Sequence, residues 1–144
     1  MNEISIAIKI SEFDLDIPEI SQMLNLIPSH SHYKGESYNF KTSEGDIEKV
    51  YESNYWEYRF EIESNEWVQI FINNFINEII LDRKNILQPI SKVSRMEFFV
   101  GINYYEEPNP SFHFEHEAIK LLSDVGFSLD IDLYNFKLAV SSVQ

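Results

Sequence analysis

Cysteine is absent from this chain of 144 residues. That excludes disulfide scaffolds, Cys-ligated zinc, iron–sulfur clusters and thiol nucleophiles. Positive charge is scarce: 11 Lys and Arg face 24 Asp and Glu, a formal net charge of −13 at pH 7. This balance argues against nucleic-acid binding, which needs a cationic footprint, and against adsorption to anionic lipid. Glycine occurs only four times, and the G-x-x-x-x-G-K-[ST] phosphate loop, the G-x-S-x-G elbow and the H-E-x-x-H zinc motif are all missing. The most apolar helical stretch, Trp67 to Leu81, is interrupted by Asn73, Asn74, Asn77 and Glu78 and is unsuited to span a bilayer. The N-terminus has no basic region ahead of an apolar core, so no signal peptide is expected and a cytoplasmic location is.

What the chain does have is apolar and aromatic material. Hydrophobic residues make up 44% of it, with 11 Phe, 8 Tyr and 2 Trp, too much for a disordered chain. One domain over residues 1–144 is expected, large enough to hold a core without metal or disulfides.

Glu3–Ile10 alternates four Ile with polar or small residues and reads as a strand. Asp16 and Glu19 form a D-x-x-E capping box with Pro18 in the first turn, and Ile17, Ile20, Leu24 and Ile27 give a helix of about three turns that Pro28 ends. Ser29–Gly35 reads as a polar loop, Ser37–Phe40 as a short strand, and Lys41–Lys49 as a turn or exposed loop. Val50–Glu63 is the clearest long strand, with Trp56, Tyr58, Phe60 and Ile62 on one face and Tyr55, Glu57, Arg59, Glu61 and Glu63 on the other.

Ser64 and Asn65 are N-cap candidates for a helix carrying Val68, Phe71, Ile72, Phe75 and Ile79. Ile86, Leu87 and Ile90 suggest a further short helix, which Pro89 ends or kinks. Arg95–Tyr105 is a strand, Pro108-Asn109-Pro110 a turn, and Ser111–Phe114 a brief strand. A helix over His116–Asp124, with Ile119 and Leu122 inward, stops at Gly126. Phe127–Tyr134 is the last strand, and Leu138 and Val140 are placed to extend the sheet. The expected fold class is α+β: an antiparallel-dominated sheet with helices on one face, in a ferredoxin-like βαββαβ order with an added βαβ unit.

Several segments resemble a known family. The opening strand, Asp14 to Ile20, and Leu24-Asn25-Leu26-Ile27-Pro28-Ser29 are similar to the opening strand, helix and turn of the bacterial domain-of-unknown-function family DUF4279. Lys34-Gly35-Glu36, Trp56-Glu57-Tyr58 and, most specifically, Leu121-Leu122 through Gly126 to Leu129-Asp130-Ile131-Asp132-Leu133-Tyr134 match its later elements. The chain departs in having Asn25 where a Gly is common and in carrying His30 and His32 before Lys34. The resemblance implies a small α+β domain and supplies no activity. A toxin–immunity role is an analogy drawn for small acidic bacterial domains.

Candidate chemistry is sparse. His30-x-His32 and His113-x-x-His116, near Glu115 and Glu117, are weak metal-ligand candidates set against a reading as exposed loop and helix-end residues. Asp130 and Asp132 share one face of a strand and offer a carboxylate pair, or merely the polar face of that strand. Lys34-Gly35 offers an anion grip or a solvated lysine. Tyr55, Phe99 and Tyr105 lie opposite the apolar stripes and form an aromatic binding surface unless another segment covers them. No catalytic residue and no cofactor is assigned. The expected function is non-enzymatic binding of a protein, basic if electrostatics guide it, in the manner of an immunity protein. The alternative is a small-molecule or metal-binding domain, enzymatic or not, in which the His30/His32/Lys34 loop meets Asp130 and Asp132 in one cleft. Self-association through an uncovered strand edge is a third reading, and the oligomeric state stays open.

Overall fold

A computed structural model describes residues 1–105 and 110–136. Pro108 and Asn109 of the expected turn, and Leu138 and Val140, lie outside the described residues. The strands are β1 (Asn2–Ser11), β2 (His30–His32), β3 (Ser37–Thr42), β4 (Gly45–Val50), β5 (Tyr55–Ser64), β6 (Arg95–Tyr104) and β7 (Phe127–Asn135). The helices are α1 (Ile17–Leu24), α2 (Val68–Phe75), α3 (Lys84–Ser91) and α4 (His116–Val125). A π-helical stretch, Ile76–Ile80, and a 3-10 turn, Leu81–Arg83, join α2 to α3.

Five strands form one sheet in the order β2-β5-β1-β6-β7, and β3 and β4 form a separate two-stranded ribbon. All pairs in the main sheet are antiparallel except β6 with β7. The α4 crossover imposes that exception, because a strand–helix–strand connection returns the chain in its original direction. The fold is α+β and mostly antiparallel, with helices on one face. The ferredoxin-like order is not confirmed: β1 sits centrally between β5 and β6 and runs antiparallel to both.

Alternation builds the core. Ile4, Ile6, Ile8 and Ile10 of β1 are almost fully buried, beside Trp56 of β5 and Met96, Phe98, Val100 and Ile102 of β6. The helices close on this row with Ile20, Leu24, Ile72, Ile80, Leu87 and Ile90. Each such side chain contributes roughly 1.5–3 kcal/mol on leaving water. Trp56 is held further by its indole N–H, which donates to Ser21 Oγ on α1 at 3.0 Å.

Several local expectations change. Asp16 is the N-cap of α1, but its side chain caps nothing; its carboxylate accepts the Tyr33 hydroxyl at 2.6 Å instead. The helix stops at Asn25, whose left-handed backbone (φ 53°) returns N–H groups to the Gln22 and Ser21 carbonyls. Pro28 lies three residues later, and Ile27 falls outside the helix and is exposed. Ser29–Gly35 is not wholly loop, because His30–His32 pairs with β5. Lys41–Lys49 belongs to the β3–β4 hairpin, and Val50 ends β4 rather than opening β5.

The N-cap of α2 is Trp67, while Ser64 Oγ accepts the Glu66 N–H at 3.0 Å. Pro89 sits inside α3, which runs two residues beyond it. Ser111–Phe114 is not a strand; Phe112 and Phe114 pack against the core instead. Ile119 points outward, and Leu122 and Val125 bury the inner face of α4. Gly126 ends α4 with φ 107°, as its place after the apolar pattern predicts.

Arg83 completes the irregular α2–α3 connection. Its guanidinium donates to the carbonyls of Leu24 at 2.8 Å and of Ile79 at 3.1 Å. These are carbonyls at the end of α1 and within the π-helical stretch, where the regular ladder no longer supplies a donor.

Candidate functional site

The helices occupy one face of the main sheet, so the opposite face presents the other half of each strand. Register fixes its lateral rows. At one end His32, Tyr55, Ser11 and Arg95 are neighbours, followed by His30, Glu57, Lys9 and Glu97. Next come Arg59, Ala7, Phe99 and Asp130, then Glu61, Ser5, Gly101 and Asp132. The last row is Glu63, Glu3, Asn103 and Tyr134.

The centre of this face is a self-contained plate. The Phe99 ring lies over Gly101, where an added Cβ would come within 2.7 Å of the ring. Lys9 Nζ sits 3.9 Å from the ring centroid and the Arg59 guanidinium carbon 5.1 Å from it. Cations over a ring face are attracted by its quadrupole. Together these side chains cover Ala7, which is fully buried despite lying opposite the helices.

Arg59 also grips Glu57 with two hydrogen bonds, Nε to Oε2 at 2.9 Å and a terminal nitrogen to Oε1 at 3.1 Å. The Tyr55 hydroxyl donates to Oε1 at 2.5 Å. Burial pushes the Glu57 carboxyl up, but the Arg59 and Tyr55 hydrogen bonds outweigh it and hold the group below the ordinary Glu range. Burial, with the Glu57 bond, drives the Tyr55 phenol well above its usual value.

Next to Tyr55 begins a row of rings that composition alone does not reveal. His32 stacks on Tyr55 at 5.1 Å and on Tyr51 at 3.4 Å, and Tyr51 stacks on Tyr38 at 4.3 Å. This row ties the β3–β4 ribbon to the β2 edge of the sheet. His30 Nε2 and His32 Nδ1 are 3.3 Å apart. Burial lowers the His32 pKa, and the neighbouring His30 lowers it further.

At the far end the face is acidic. Small residues, Ser5 and Gly101, lie between Glu61 and Asp132, and a groove of about 360 Å³ opens over Ser5 between Glu61, Glu63, Glu3 and Asn103. The Glu3 carboxyl is lowered by hydrogen bonds from Asn103 at 3.0 Å and Tyr105 at 2.9 Å.

The sequence candidates are therefore divided. Tyr55 and Phe99 do share the open face, and Tyr105 reaches it through Glu3 while stacking on Phe136 at 5.0 Å. Tyr55 and Phe99 are half-buried beneath their polar neighbours, whereas Tyr105 is exposed. Asp130 and Asp132 also lie on this face, but on β7, the edge opposite β2. Four strand spacings separate them from His30 and His32, about 19 Å. No single cleft joins the two groups.

Lys34 follows β2, with an exposed side chain and a backbone N–H bonded to Asn54 Oδ1 at 2.7 Å. His116 opens α4 and His113 lies three residues ahead of it, where its Nε2 contacts Glu115 Oε1 at 2.8 Å. Among the described residues no group of three or more His, Asp or Glu is placed to hold a metal ion. No helix among them is long and apolar enough to cross a membrane. Sequence reasoning missed the roles of Lys9 and Arg59; the available signal was a single cation on the polar side of each of two otherwise well-patterned strands.

No curated protein and no solved structure matches the chain. The model of one family does, and it spans residues 2–136, from the first residue of β1 to one residue past the end of β7. With every strand and every helix of the described residues inside that span, the chain belongs to the family described as domain of unknown function, DUF4279.

Proposed function

We propose that this chain is a non-enzymatic protein-binding domain whose open sheet face receives a basic protein, in the manner of an immunity protein neutralising a basic toxin. The observation that carries this reading is how charge is spent on that face. Its three cations are already engaged: Lys9 on Phe99, Arg59 on Glu57, and Arg95 on Glu97 at 3.0 Å. Glu63, Asp130 and Asp132 have no ion-pair partner among the described residues, and all three are exposed. The face thus offers net negative charge beside a rigid centre. Such a surface accelerates encounter with a cationic partner and rejects an anionic one.

The test is capture of partners from lysate on the tagged protein, at low and then high salt, beside a Glu63→Lys/Asp130→Lys/Asp132→Lys variant. The reading expects a basic protein that is held at low salt, released at high salt and lost by the variant. Equal retention by the variant, or no basic protein under either condition, overturns it.

A further inference from the structure

The outer edge of β5 is only half covered. β2 pairs with Tyr55, Trp56 and Glu57 and goes no further. Ser29 then takes over: its N–H donates to the Glu57 carbonyl at 2.7 Å, and its hydroxyl bonds both the N–H and the carbonyl of Arg59. Pro28 has no N–H to offer and stops the pairing there. In an antiparallel sheet the residues that point N–H and C=O to one side alternate. Because Glu57 and Arg59 point theirs outward, Glu61 and Glu63 do as well. Among the described residues no strand pairs with that side of β5 beyond Arg59.

Two features flank this open edge. On the helix side lies a groove of about 270 Å³ whose walls are mostly apolar and aromatic, Tyr58, Phe60, Phe71, Phe75 and Ile79, with Asn74 and Glu78 on its polar side. Phe60 is about one-third exposed there. On the open face stand the carboxylates of Glu61 and Glu63, both exposed. We infer that the Phe60–Ser64 edge of β5 accepts an extended segment of the basic partner as an added antiparallel strand, continuing the line of β2. Its alternate side chains would be Lys or Arg facing Glu61 and Glu63, and apolar residues entering the groove beside Phe60. Strand addition of this kind draws affinity from main-chain bonds and specificity from alternate side chains.

Charge selects this occupant over a second copy of the chain. Two β5 edges paired antiparallel would set Glu61 and Glu63 against their own kind, and like charges directly opposed destabilise a strand pair. Acid at an open edge therefore blocks self-pairing and admits a basic strand. The inference rests on the proposed reading that the partner is basic.

The probe is a fluorescein-labelled heptapeptide alternating Lys and Val, followed by fluorescence anisotropy with the intact protein. In an antiparallel pair the residues opposite Glu61 and Glu63 share their face and supply the hydrogen bonds, so the peptide's Lys backbone amides do the bonding. N-methylation of the Lys amides keeps every charge but should weaken binding at least tenfold, and N-methylation of the Val amides should leave it nearly unchanged. Glu61→Pro, at an outward-facing N–H, should weaken the parent peptide similarly, whereas Asp130→Asn/Asp132→Asn on the far edge should not.

Equal binding of the two N-methylated peptides, both abolished by salt, overturns edge addition while leaving the basic-partner reading intact. No binding of the parent peptide overturns edge addition as well, and the lysate capture then decides the broader reading separately. A dimer in light scattering that Glu61→Pro dissociates would assign the edge to a second copy and also overturn the inference.

Discussion

Replacing Glu57 by Gln isolates the ion pair at the centre of the open face. The side chain keeps its shape and can still accept the Tyr55 hydroxyl, but it loses the charge that Arg59 grips. Exposed ion pairs contribute roughly 0.2–1 kcal/mol, and breaking a fully buried pair costs roughly 3–5 kcal/mol. This pair lies between: the Glu57 side chain is 9% exposed and Arg59 23%. Two hydrogen bonds between charged groups at this depth place the loss at about 2 kcal/mol. For a domain of this size that is a fall in Tm of about 4–8 °C.

The effect has a required pH dependence. Because the folded-state pKa of Glu57 lies below its ordinary value, the stabilisation is fully present above the ordinary Glu range and is lost as pH falls through the lower folded value. Gln mimics the protonated acid, so the gap between wild type and variant should be full near pH 7 and should narrow as acid takes the pH below the ordinary Glu range and through the lower folded-state value. Urea melts of both proteins across that range measure it, and the difference between them cancels the titration of the other carboxylates. A gap below about 0.5 kcal/mol near neutrality, or one unchanged in acid, would refute the reasoning.

Further outcomes follow from particular contacts. Gly126→Ala should destabilise by about 1–3 kcal/mol in a thermal melt, since φ 107° is a region for glycine and the new Cβ would lie 2.5 Å from Ser91 Oγ. Asn25→Gly should be neutral or slightly stabilising, whereas Asn25→Val should cost at least about 1 kcal/mol, because only the first two residues tolerate the left-handed cap. Gly101→Ala should tilt the Phe99 ring away from Lys9, seen as changed ring-current shifts of the Lys9 methylenes in NMR; unchanged shifts would place the ring elsewhere. His32 should titrate below the ordinary His midpoint of about 6.5, and His30→Gln should move that midpoint upward, as the removal of a neighbouring positive charge demands.

The sequence by itself determined the inner layer. Period-two rows such as Ile4 to Ile10 and Met96 to Ile102 have one stable placement, against helices whose own stripes recur every three or four residues. The αL stop at Gly126 and the approximate bounds of the longest elements were legible for the same local reason. Where short-range signals compete, tertiary structure decided. His30–His32 is a strand because β5 offers it an edge, not because three polar residues favour extension. Asp16 gave up its capping role to a hydroxyl 17 residues away.

The site was less legible still, because its parts are neighbours only across strands. Tyr55, Phe99, Asp130 and Asp132 could be assigned to polar faces from alternation, but not to a common surface or to opposite edges of it. Strand order put Asp130 and Asp132 on the edge opposite His30 and His32, and register laid Lys9 and Arg59 on Phe99. Alternation is a property of one strand, whereas strand order and register arise from pairings between segments up to about a hundred residues apart. The face on which each side chain lies was therefore written in the sequence, and its neighbours on that face were set only by the closed sheet.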